Sequence, residues 1–308
     1  MSTKANIGIL VPGSYEGLPP KIAEFARFFS SAEELGFESL WFTDRIFHRI
    51  NVLDPFTLMT CAATATSTVR LGTAVILFVL RNPVLMAKTT ATLDYLSGGR
   101  LTLGISLGGR DDEFAPLGVS MHRRVSRFTE GLEVMRKLWS EEQVTFHGRY
   151  YDLEGASAQP KPVRNGSIPV ILGGRSDGVL KRSGESADGW VAGSTGDAEV
   201  FAGAWRTVRG HGAAAGKDPD SLESGKLMYI ATGPDRDRCK QQLSASLQAY
   251  YGPNYDVEAN CAYGPPEECA AKIQPFIDAD AKTVMLGPCD TDVEQIRAIA
   301  QDVLPLLS

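Results

Sequence analysis

The chain has 308 residues, with 43% hydrophobic and 22% charged side chains and a formal net charge of −6. This is the composition of an ordinary globular protein, and its acidic balance argues against nucleic acid as the main partner. The five cysteines form no CxxC pair, so neither a disulfide framework nor a structural zinc site is predicted.

Apolar runs typical of β-strands recur along the chain, and helical patterns separate most of them. Helices are predicted to start at residues 54–55 and 82–83, where Asp or Asn precedes a proline that needs no N–H. Helices are predicted to end at residues 36 and 98–99, because glycine there permits the left-handed backbone of a final turn. The predicted strands are 7–11, 38–42, 69–78, 101–107, 168–172, 189–192, 226–232 and 283–286.

Eight strand-then-helix units predict an α/β fold of the (β/α)8 TIM barrel type, because continuous apolar strands need helices on their outer side. A doubly wound sheet is the second interpretation, but the run from Gly104 to Gly109 does not fit its GxGxxG fingerprint. The length exceeds the roughly 250 residues of a minimal barrel. We therefore expect one domain over residues 1–308, with insertions near 144–165 and 249–266 that serve as lids or as packing appendages.

The stretch IPVILGGRSDGVLKR, residues 168–182, joins a predicted strand to a predicted helix through two glycines. Unpaired N–H groups and the positive end of the helix dipole then point at one spot, which suits a phosphate. Gly173 and Gly174 let the backbone approach the anion, while Arg175 and Ser176 add a charge and a hydroxyl. A tight turn without a ligand explains the same glycines, and the pattern alone leaves both interpretations open.

Arginines follow several predicted strands, at the end of a barrel where active sites lie. Among them are Arg45, Arg81, Arg110 and Arg175. An acidic protein would then carry a basic mouth that attracts an anionic ligand. The alternative is that these arginines pair with nearby acids. The acids concerned are Asp44, Asp111, Asp112 and Glu113, the last three of which are predicted to favour a helix start.

Metal and nucleophile motifs are missing from the sequence. It contains no HExxH, P-loop or GxSxG motif. The four histidines lie without metal-ligand spacing. No metal site is predicted.

The tract LGTAVILFVLRNPVLMAKTTATLDYLSGGRLTLGISLGGRDDEFAPLGV, residues 71–119, resembles the bacterial luciferase-like monooxygenase superfamily, especially its coenzyme F420-dependent oxidoreductase branch. The resemblance continues through RFTEGLEVMRKLWSEEQVTFHGRYYDLEGA and IPVILGGRSDGVLKRSGESADGWV; it covers residues 5–195 well and the last third more loosely. It implies a barrel whose mouth holds a deazaflavin or flavin, with the cofactor phosphate at residues 173–176. It also implies a bulge with a cis peptide bond at Ala74-Val75, behind the cofactor ring.

Two positions depart from the family pattern. Arg45 follows Asp44 where the family commonly has His, and Gly109 stands where sugar-phosphate dehydrogenases of this branch have a proton-transferring glutamate. Arginine stays protonated and serves poorly as a base, so sugar-phosphate oxidation is not expected. Leu107 stands in place of the flavin-phosphate arginine of true luciferases, so light emission is not expected either.

The resemblance implies hydride transfer between reduced F420 and a small organic substrate, such as an activated double bond or an imine. Asp44 is predicted to hydrogen-bond the cofactor, and Ser106 to contact it beside the ring. Arg45 and Arg110 are predicted to stabilise an anion or oxyanion, which makes them, with Asp44, the catalytic candidates. A reduced-FMN-dependent monooxygenase and a noncatalytic flavin-binding protein remain open as alternatives.

Further expectations concern partners and location. The family resemblance implies a homodimer, and the alternatives allow a separate flavin or F420 reductase. The first residues lack the apolar core of a signal peptide, and no segment reaches the roughly 18 apolar residues that span a bilayer. We therefore expect a cytoplasmic protein without a membrane or nucleic-acid partner.

Overall fold

The computed structural model describes residues 5–308. Its strands are β1 (Asn6–Leu10), β2 (Ser14–Tyr15), β3 (Ser39–Phe42), β4 (Asn51–Val52), β5 (Arg70–Thr73), β6 (Ile76–Leu77), β7 (Leu101–Ser106), β8 (Val144–His147), β9 (Asp152–Ala156), β10 (Val170–Gly173), β11 (Gly189–Ala192), β12 (Glu223–Thr232), β13 (Ala262–Gly264) and β14 (Thr283–Gly287). Its α-helices are α1 (Ile22–Glu34), α2 (Pro55–Ala65), α3 (Pro83–Leu96), α4 (Asp111–Phe114), α5 (Arg124–Ser140), α6 (Asp177–Ser186), α7 (Ala198–Ala214), α8 (Arg236–Tyr251), α9 (Val257–Asn260), α10 (Pro266–Asp278) and α11 (Val293–Ala298).

Eight parallel strands close into a barrel. Each pairs with its two neighbours in the order β1, β3, β5, β7, β10, β11, β12, β14 and back to β1. Helices follow these strands and cover the outside of the barrel, as in a (β/α)8 fold. The predicted TIM barrel is confirmed.

Local capping sets the helix ends near the barrel as the sequence predicts. The Asp54 side chain accepts the N–H of Thr57 at the start of α2, and the Asn82 side chain accepts the N–H of Val84 at the start of α3. Gly36 has a positive φ just after α1 ends. These short-range signals fix where each helix joins the barrel.

The third predicted strand is divided. β5 ends at Thr73, and β6 begins at Ile76 and pairs with β7. Outside the barrel sheet, β8 and β9 form an antiparallel pair within 144–165, and the region near 249–266 holds the end of α8, α9 and β13.

The core has two parts, as a filled barrel requires. In β12, Met228 and Ile230 belong to the larger cluster, which the helices cover. Leu227 and Tyr229 belong to a smaller cluster that the strands enclose. Within residues 5–308, no helix combines the length and apolar character needed to cross a bilayer.

Candidate active site at the barrel mouth

The carboxyl ends of the eight barrel strands form one opening, the mouth, where active sites of this fold lie. Asp44 follows β3, Ser106 ends β7 and Gly173 ends β10, so three of the predicted site residues share this end. Ala74 and Val75 lie between β5 and β6 at the same end. The topology therefore gathers the predicted site residues at the mouth.

The link between β5 and β6 lies at the centre of this group. Its Ala74-Val75 peptide bond is cis, as the family resemblance implies. The Ala74 N–H donates to the Phe42 carbonyl at 2.8 Å, which ties the link to β3. The Val75 side chain packs on Gly173, because a Cβ built on that glycine would lie 2.9 Å from Val75 Cγ1. Three strand ends are thus held together around half-buried Ala74 and Val75.

The Asp44 carboxylate is bound by groups of the protein itself. Its side chain is fully buried, with Oδ2 accepting the Leu77 N–H at 3.0 Å and Oδ1 accepting Arg81 Nη2 at 2.8 Å. Burial would lower the pKa of Arg81, but Asp44 raises it above its ordinary value. Both oxygens of Asp44 thus accept hydrogen bonds from the protein, which ties the carboxylate to β6 and Arg81. A hydrogen bond from Asp44 to a cofactor stays a prediction.

Arg45 faces Glu113, and this pair was not predicted as such. Arg45 Nη1 lies 3.1 Å from Glu113 Oε2, with the carboxylate side chain wholly buried and that of Arg45 19% exposed. Neither Glu113 oxygen has a partner in hydrogen-bonding geometry, so the contact is a purely ionic one. Burial would lower the pKa of Arg45, but the Tyr250 hydroxyl and Glu113 raise it. Glu113 lies in the first turn of α4 as predicted, but its carboxylate forms an ion pair with Arg45.

The other arginines after β5 and β7 also pair with acids. Arg110 Nη2 lies 2.6 Å from Asp112 Oδ2 in a pair that is about half exposed on both sides. Arg81 contacts Asp54 as well as Asp44. Neighbouring carboxylates thus neutralise Arg45, Arg81 and Arg110, whereas Arg49 on the same side has no carboxylate partner among residues 5–308. The predicted basic mouth is therefore reduced on this side.

A cavity of about 400 Å³ opens beside these pairs. His48 stacks on Tyr250 with ring centroids 5.0 Å apart, and its Nε2 lies 3.0 Å from the Tyr250 carbonyl oxygen. Burial, together with Arg45 and Arg110, lowers the pKa of His48. The lining residues are Phe47, His48, Arg49, Arg110, Asp112, Tyr250, Tyr251 and Gly252. The wall combines aromatic rings with the charged side chains of Arg49, Arg110 and Asp112.

The end of α8 is fastened over the mouth. Arg49 donates to the last carbonyls of α8, with Nη2 2.9 Å from the Gln248 oxygen and 2.8 Å from the Ala249 oxygen. The Tyr251 ring stacks on that of Tyr255 at 4.7 Å, and its hydroxyl lies 2.9 Å from the Tyr229 hydroxyl. The sequence marks this segment only as rich in tyrosine and turn formers, so the contribution of Tyr250 and Tyr251 to the cavity wall was not predicted.

On the opposite side of the mouth, residues 173–178 form what we call the cradle. The N–H groups of residues 174–178 donate to no acceptor in the described part of the chain, and Ser176 caps α6 without a side-chain hydrogen bond. Gly174 has φ +138°, a conformation that L side chains rarely adopt. Trp190 Nε1 donates to the Gly174 carbonyl at 2.7 Å, which fixes the orientation of this peptide. The cradle presents free donors to solvent.

Arg175 and Ser106 lie where the sequence predicts, but their contacts differ. Arg175 is exposed, like the rest of residues 174–178. Ser106 is half-buried, and its hydroxyl makes only two long contacts, both 3.4 Å, to the Ile76 carbonyl and the Gly108 N–H. Among residues 5–308, no three His, Cys, Asp or Glu side chains form a group that could hold a metal ion.

The fold and the cradle define a (β/α)8 barrel protein with a loop of free backbone donors after its fifth barrel strand. A family model described as luciferase-like monooxygenase matches residues 5–257. The chain therefore belongs to the luciferase-like monooxygenase family, which confirms the resemblance read from the sequence.

Individual relatives differ in how much they cover. An uncharacterised protein of Mycobacterium tuberculosis is 39% identical over 143 residues, which are 46% of this chain and 50% of that protein. The chain thus spans about half the length of this curated relative. An F420-dependent glucose-6-phosphate dehydrogenase of Amycolatopsis mediterranei is 27% identical over 94% of this chain and 95% of its own length.

Among solved structures, an F420-dependent secondary alcohol dehydrogenase in complex with an F420-acetone adduct superposes with a TM-score of 0.86. It is 23% identical and covers 99% of this chain and 100% of its own. At this identity the likeness establishes the fold.

Proposed function

We propose that this chain is an F420-dependent oxidoreductase that transfers a hydride between the reduced deazaflavin and a small organic substrate. The observation that carries the proposal is the cradle, where five consecutive backbone N–H groups lack an acceptor at the mouth of a luciferase-like barrel. The names of the relatives from Amycolatopsis mediterranei and of the alcohol dehydrogenase support F420 as the cofactor.

The residues present fit such a cofactor. The free N–H groups of 174–178, the uncommitted Ser176 hydroxyl and the exposed Arg175 are donors for an anionic tail. Ala74, Val75 and Ser106 lie half-buried at the strand ends, and the planar ring is proposed to rest on the β5–β6 link. When bound, the deazaflavin supplies the hydride chemistry, and the protein supplies binding and orientation.

On the substrate side we propose Arg45 as the group that meets an oxygen or nitrogen of the substrate. The Glu113 carboxylate contacts Arg45 Nη1, which holds the guanidinium in one orientation. The raised pKa of Arg45 keeps it charged. A preorganised charge of this kind stabilises negative charge that develops on a reacting atom. Arg110 is the weaker candidate, because Asp112 already binds it in a largely exposed position.

The pairing of charges favours an uncharged substrate. Arg45 and Arg110 each have a carboxylate partner, and Phe47, Tyr250 and Tyr251 contribute rings to the 400 Å³ cavity. A carbonyl, an activated double bond or an imine suits this wall better than a sugar phosphate, whose charge would need unpaired cations.

Spectroscopic titration of the apoprotein with F420 and with FMN tests the cofactor. We expect F420 to bind in the micromolar range, and reduced F420 to be reoxidised in a single turnover by a member of a carbonyl, enone and imine panel. The variant Ser176→Asp places a negative charge in the cradle, so it should abolish binding while thermal unfolding stays unchanged. Millimolar binding of F420 beside micromolar binding of FMN would contradict the proposal.

The second candidate is a reduced-FMN-dependent monooxygenase, which the description of the matching family model favours. The cradle would hold the FMN phosphate equally well. Oxygen consumption with reduced FMN, and none with reduced F420, selects this candidate. Tight cofactor binding without any turnover selects a noncatalytic flavin-binding protein.

We also propose a homodimer, a cytoplasmic location and a separate reductase that regenerates the reduced cofactor. The dimer is supported by exposed apolar side chains on α3, where Leu85 is 68%, Tyr95 61% and Leu96 69% exposed. Light scattering on the purified protein tests it, and a monomer at micromolar concentration contradicts it.

A further inference from the structure

Arg182 in α6 is a cation without a partner. It makes no ion pair with any of residues 5–308, and its Nε atom is buried without a hydrogen-bond acceptor. Burial alone lowers the pKa of Arg182, with no carboxylate nearby to raise it. An unsatisfied buried donor on a charged group is costly, and in a native structure it calls for an explanation.

The position of the guanidinium supplies one. A Cβ built on Gly178 would lie 3.2 Å from Arg182 Nη2, so the side chain folds back over the first turn of α6. Long helical side chains point toward the helix N-terminus in this way. Gly178, four residues earlier on the same face, leaves the room that the guanidinium occupies. Arg182 therefore lies beside the cradle, next to its last free N–H groups.

We propose that Arg182 is a ligand of the phosphoryl group in the cofactor tail and forms one anion site with the cradle. The proposal rests on the proposed function for its ligand, but it adds a residue that the strand-turn-helix pattern does not reveal. Three kinds of donor then converge, namely backbone amides, the Ser176 hydroxyl and a guanidinium whose fork matches phosphate oxygens. The bound anion would pair with the Arg182 guanidinium, which has no partner in the described part of the protein.

The charges on the two sides of the mouth support this assignment. Arg45 after β3 pairs with Glu113, and Arg110 after β7 pairs with Asp112. Arg175 and Arg182 pair with no acid among the described residues. A negatively charged group at the cradle would therefore meet two guanidinium groups that no carboxylate of residues 5–308 neutralises.

The test compares wild type with Arg182→Gln, Arg182→Lys and the matched control Lys181→Gln. Lys181 neighbours Arg182 in α6, is 57% exposed and lies 3.8 Å from Glu185, so its replacement removes the same charge away from the cradle. Affinity is measured for F420 and for 8-hydroxy-5-deazariboflavin, which has the same chromophore without phosphate. FMN and riboflavin form the equivalent pair for the alternative cofactor.

We expect Arg182→Gln to weaken binding of the phosphorylated cofactor about tenfold or more, the usual effect of losing a charge-assisted hydrogen bond. Binding of the phosphate-free chromophore should change less than about twofold, and Lys181→Gln should alter neither. The affinity of Arg182→Lys for the phosphorylated cofactor should be intermediate, since lysine keeps the charge but cannot donate two parallel N–H groups to phosphate oxygens. The salt dependence of binding should also be smaller in Arg182→Gln than in wild type.

A second variant separates position from charge. Gly178→Ala keeps Arg182 but crowds its guanidinium, and alanine within a helix raises stability by about 0.5–1 kcal/mol. We expect a higher melting temperature together with weaker binding of the phosphorylated cofactor. Because Arg182 bonds no protein group, Arg182→Gln should melt within about 1 °C of wild type.

The measurements distinguish failure of the Arg182 assignment from failure of the proposed function. If wild type binds F420 or FMN and Arg182→Gln binds it equally well, or loses the phosphate-free chromophore to the same extent, the assignment of Arg182 is overturned while the proposed function stands. If wild type binds neither cofactor, the proposed function fails. Inorganic phosphate then decides the assignment: a phosphate-dependent rise in melting temperature that Arg182→Gln lacks supports it, and no such rise overturns it.

Discussion

Replacing Glu113 by glutamine tests how strongly the carboxylate holds Arg45. The substitution keeps the shape of the side chain and removes its charge from a position with no exposed surface. At 3.1 Å and an effective dielectric constant of about 20, the ion pair is worth about 5 kcal/mol of Coulomb attraction. Arg45 is 19% exposed, so water recovers part of this loss in the variant. We expect the free energy of unfolding to fall by about 3 kcal/mol.

Thermal unfolding followed by circular dichroism measures this loss. A chain of 308 residues has an unfolding entropy of about 0.65 kcal/mol/K, so the melting temperature of Glu113→Gln should fall by about 5 °C. Arg110→Gln is the matched control, because its pair with Asp112 is about half exposed and should be worth about 1 kcal/mol or less. The double variant Arg45→Gln with Glu113→Gln should recover part of the loss, since neither charge is then left alone.

A melting temperature of Glu113→Gln within about 1 °C of that of Arg110→Gln would refute this reasoning. It would mean that solvent reaches Glu113 despite its burial, and that Arg45 is not held in one orientation. The proposed role of Arg45 toward the substrate would then lose its physical basis.

Further predictions concern the barrel wall and the cradle. Partial burial opposes ionisation of Glu33, but hydrogen bonds from residues 67–69 lower its pKa to about 2, below the ordinary value of 4.5. Wild type should therefore be more stable than Glu33→Gln above pH 4.5, and urea titrations should show the difference shrinking as pH falls toward 2; a constant difference contradicts this. Gly104→Ala should give little folded protein, because its Cβ would lie 1.9 Å from a β5 carbonyl oxygen, whereas Gly109→Ala, with open space, should yield wild-type amounts. Trp190→Phe removes the hydrogen bond to Gly174 and should weaken cofactor binding about fivefold in the same titration; unchanged affinity would show that the cradle holds its shape without it.

The barrel and the cradle could be predicted from the sequence because their signals are local. The proline-preceding caps at Asp54 and Asn82 set helix starts, and two glycines between a strand and a helix mark an anion-binding turn. Gly178 and Arg182 also lie four residues apart on one helix face, a spacing that could have drawn attention to them.

The charge partners could not be predicted, because they depend on which loops the closed barrel brings together. Arg45 follows β3 and Glu113 lies in α4 after β7, so nothing in either segment reveals the other. The occupation of both Asp44 oxygens by Arg81 and Leu77 is equally non-local. The sequence therefore placed the charged residues at the strand ends but left open which arginines the fold pairs with acids.

The two edges of the mouth differ in charge, because Arg45 and Arg110 have carboxylate partners and Arg175 and Arg182 have none within the described chain. For a ligand with a neutral head and an anionic end, the α6 edge offers free backbone donors with Arg175 and Arg182, while the α8 edge offers aromatic rings and the paired Arg45 and Arg110. In the opposite orientation, the anionic end would lie at the α8 edge beside aromatic rings, and the neutral head would lie at the α6 edge beside Arg175 and Arg182. If the proposed function holds, this difference in charge favours one of the two orientations in which an elongated cofactor can enter the barrel mouth.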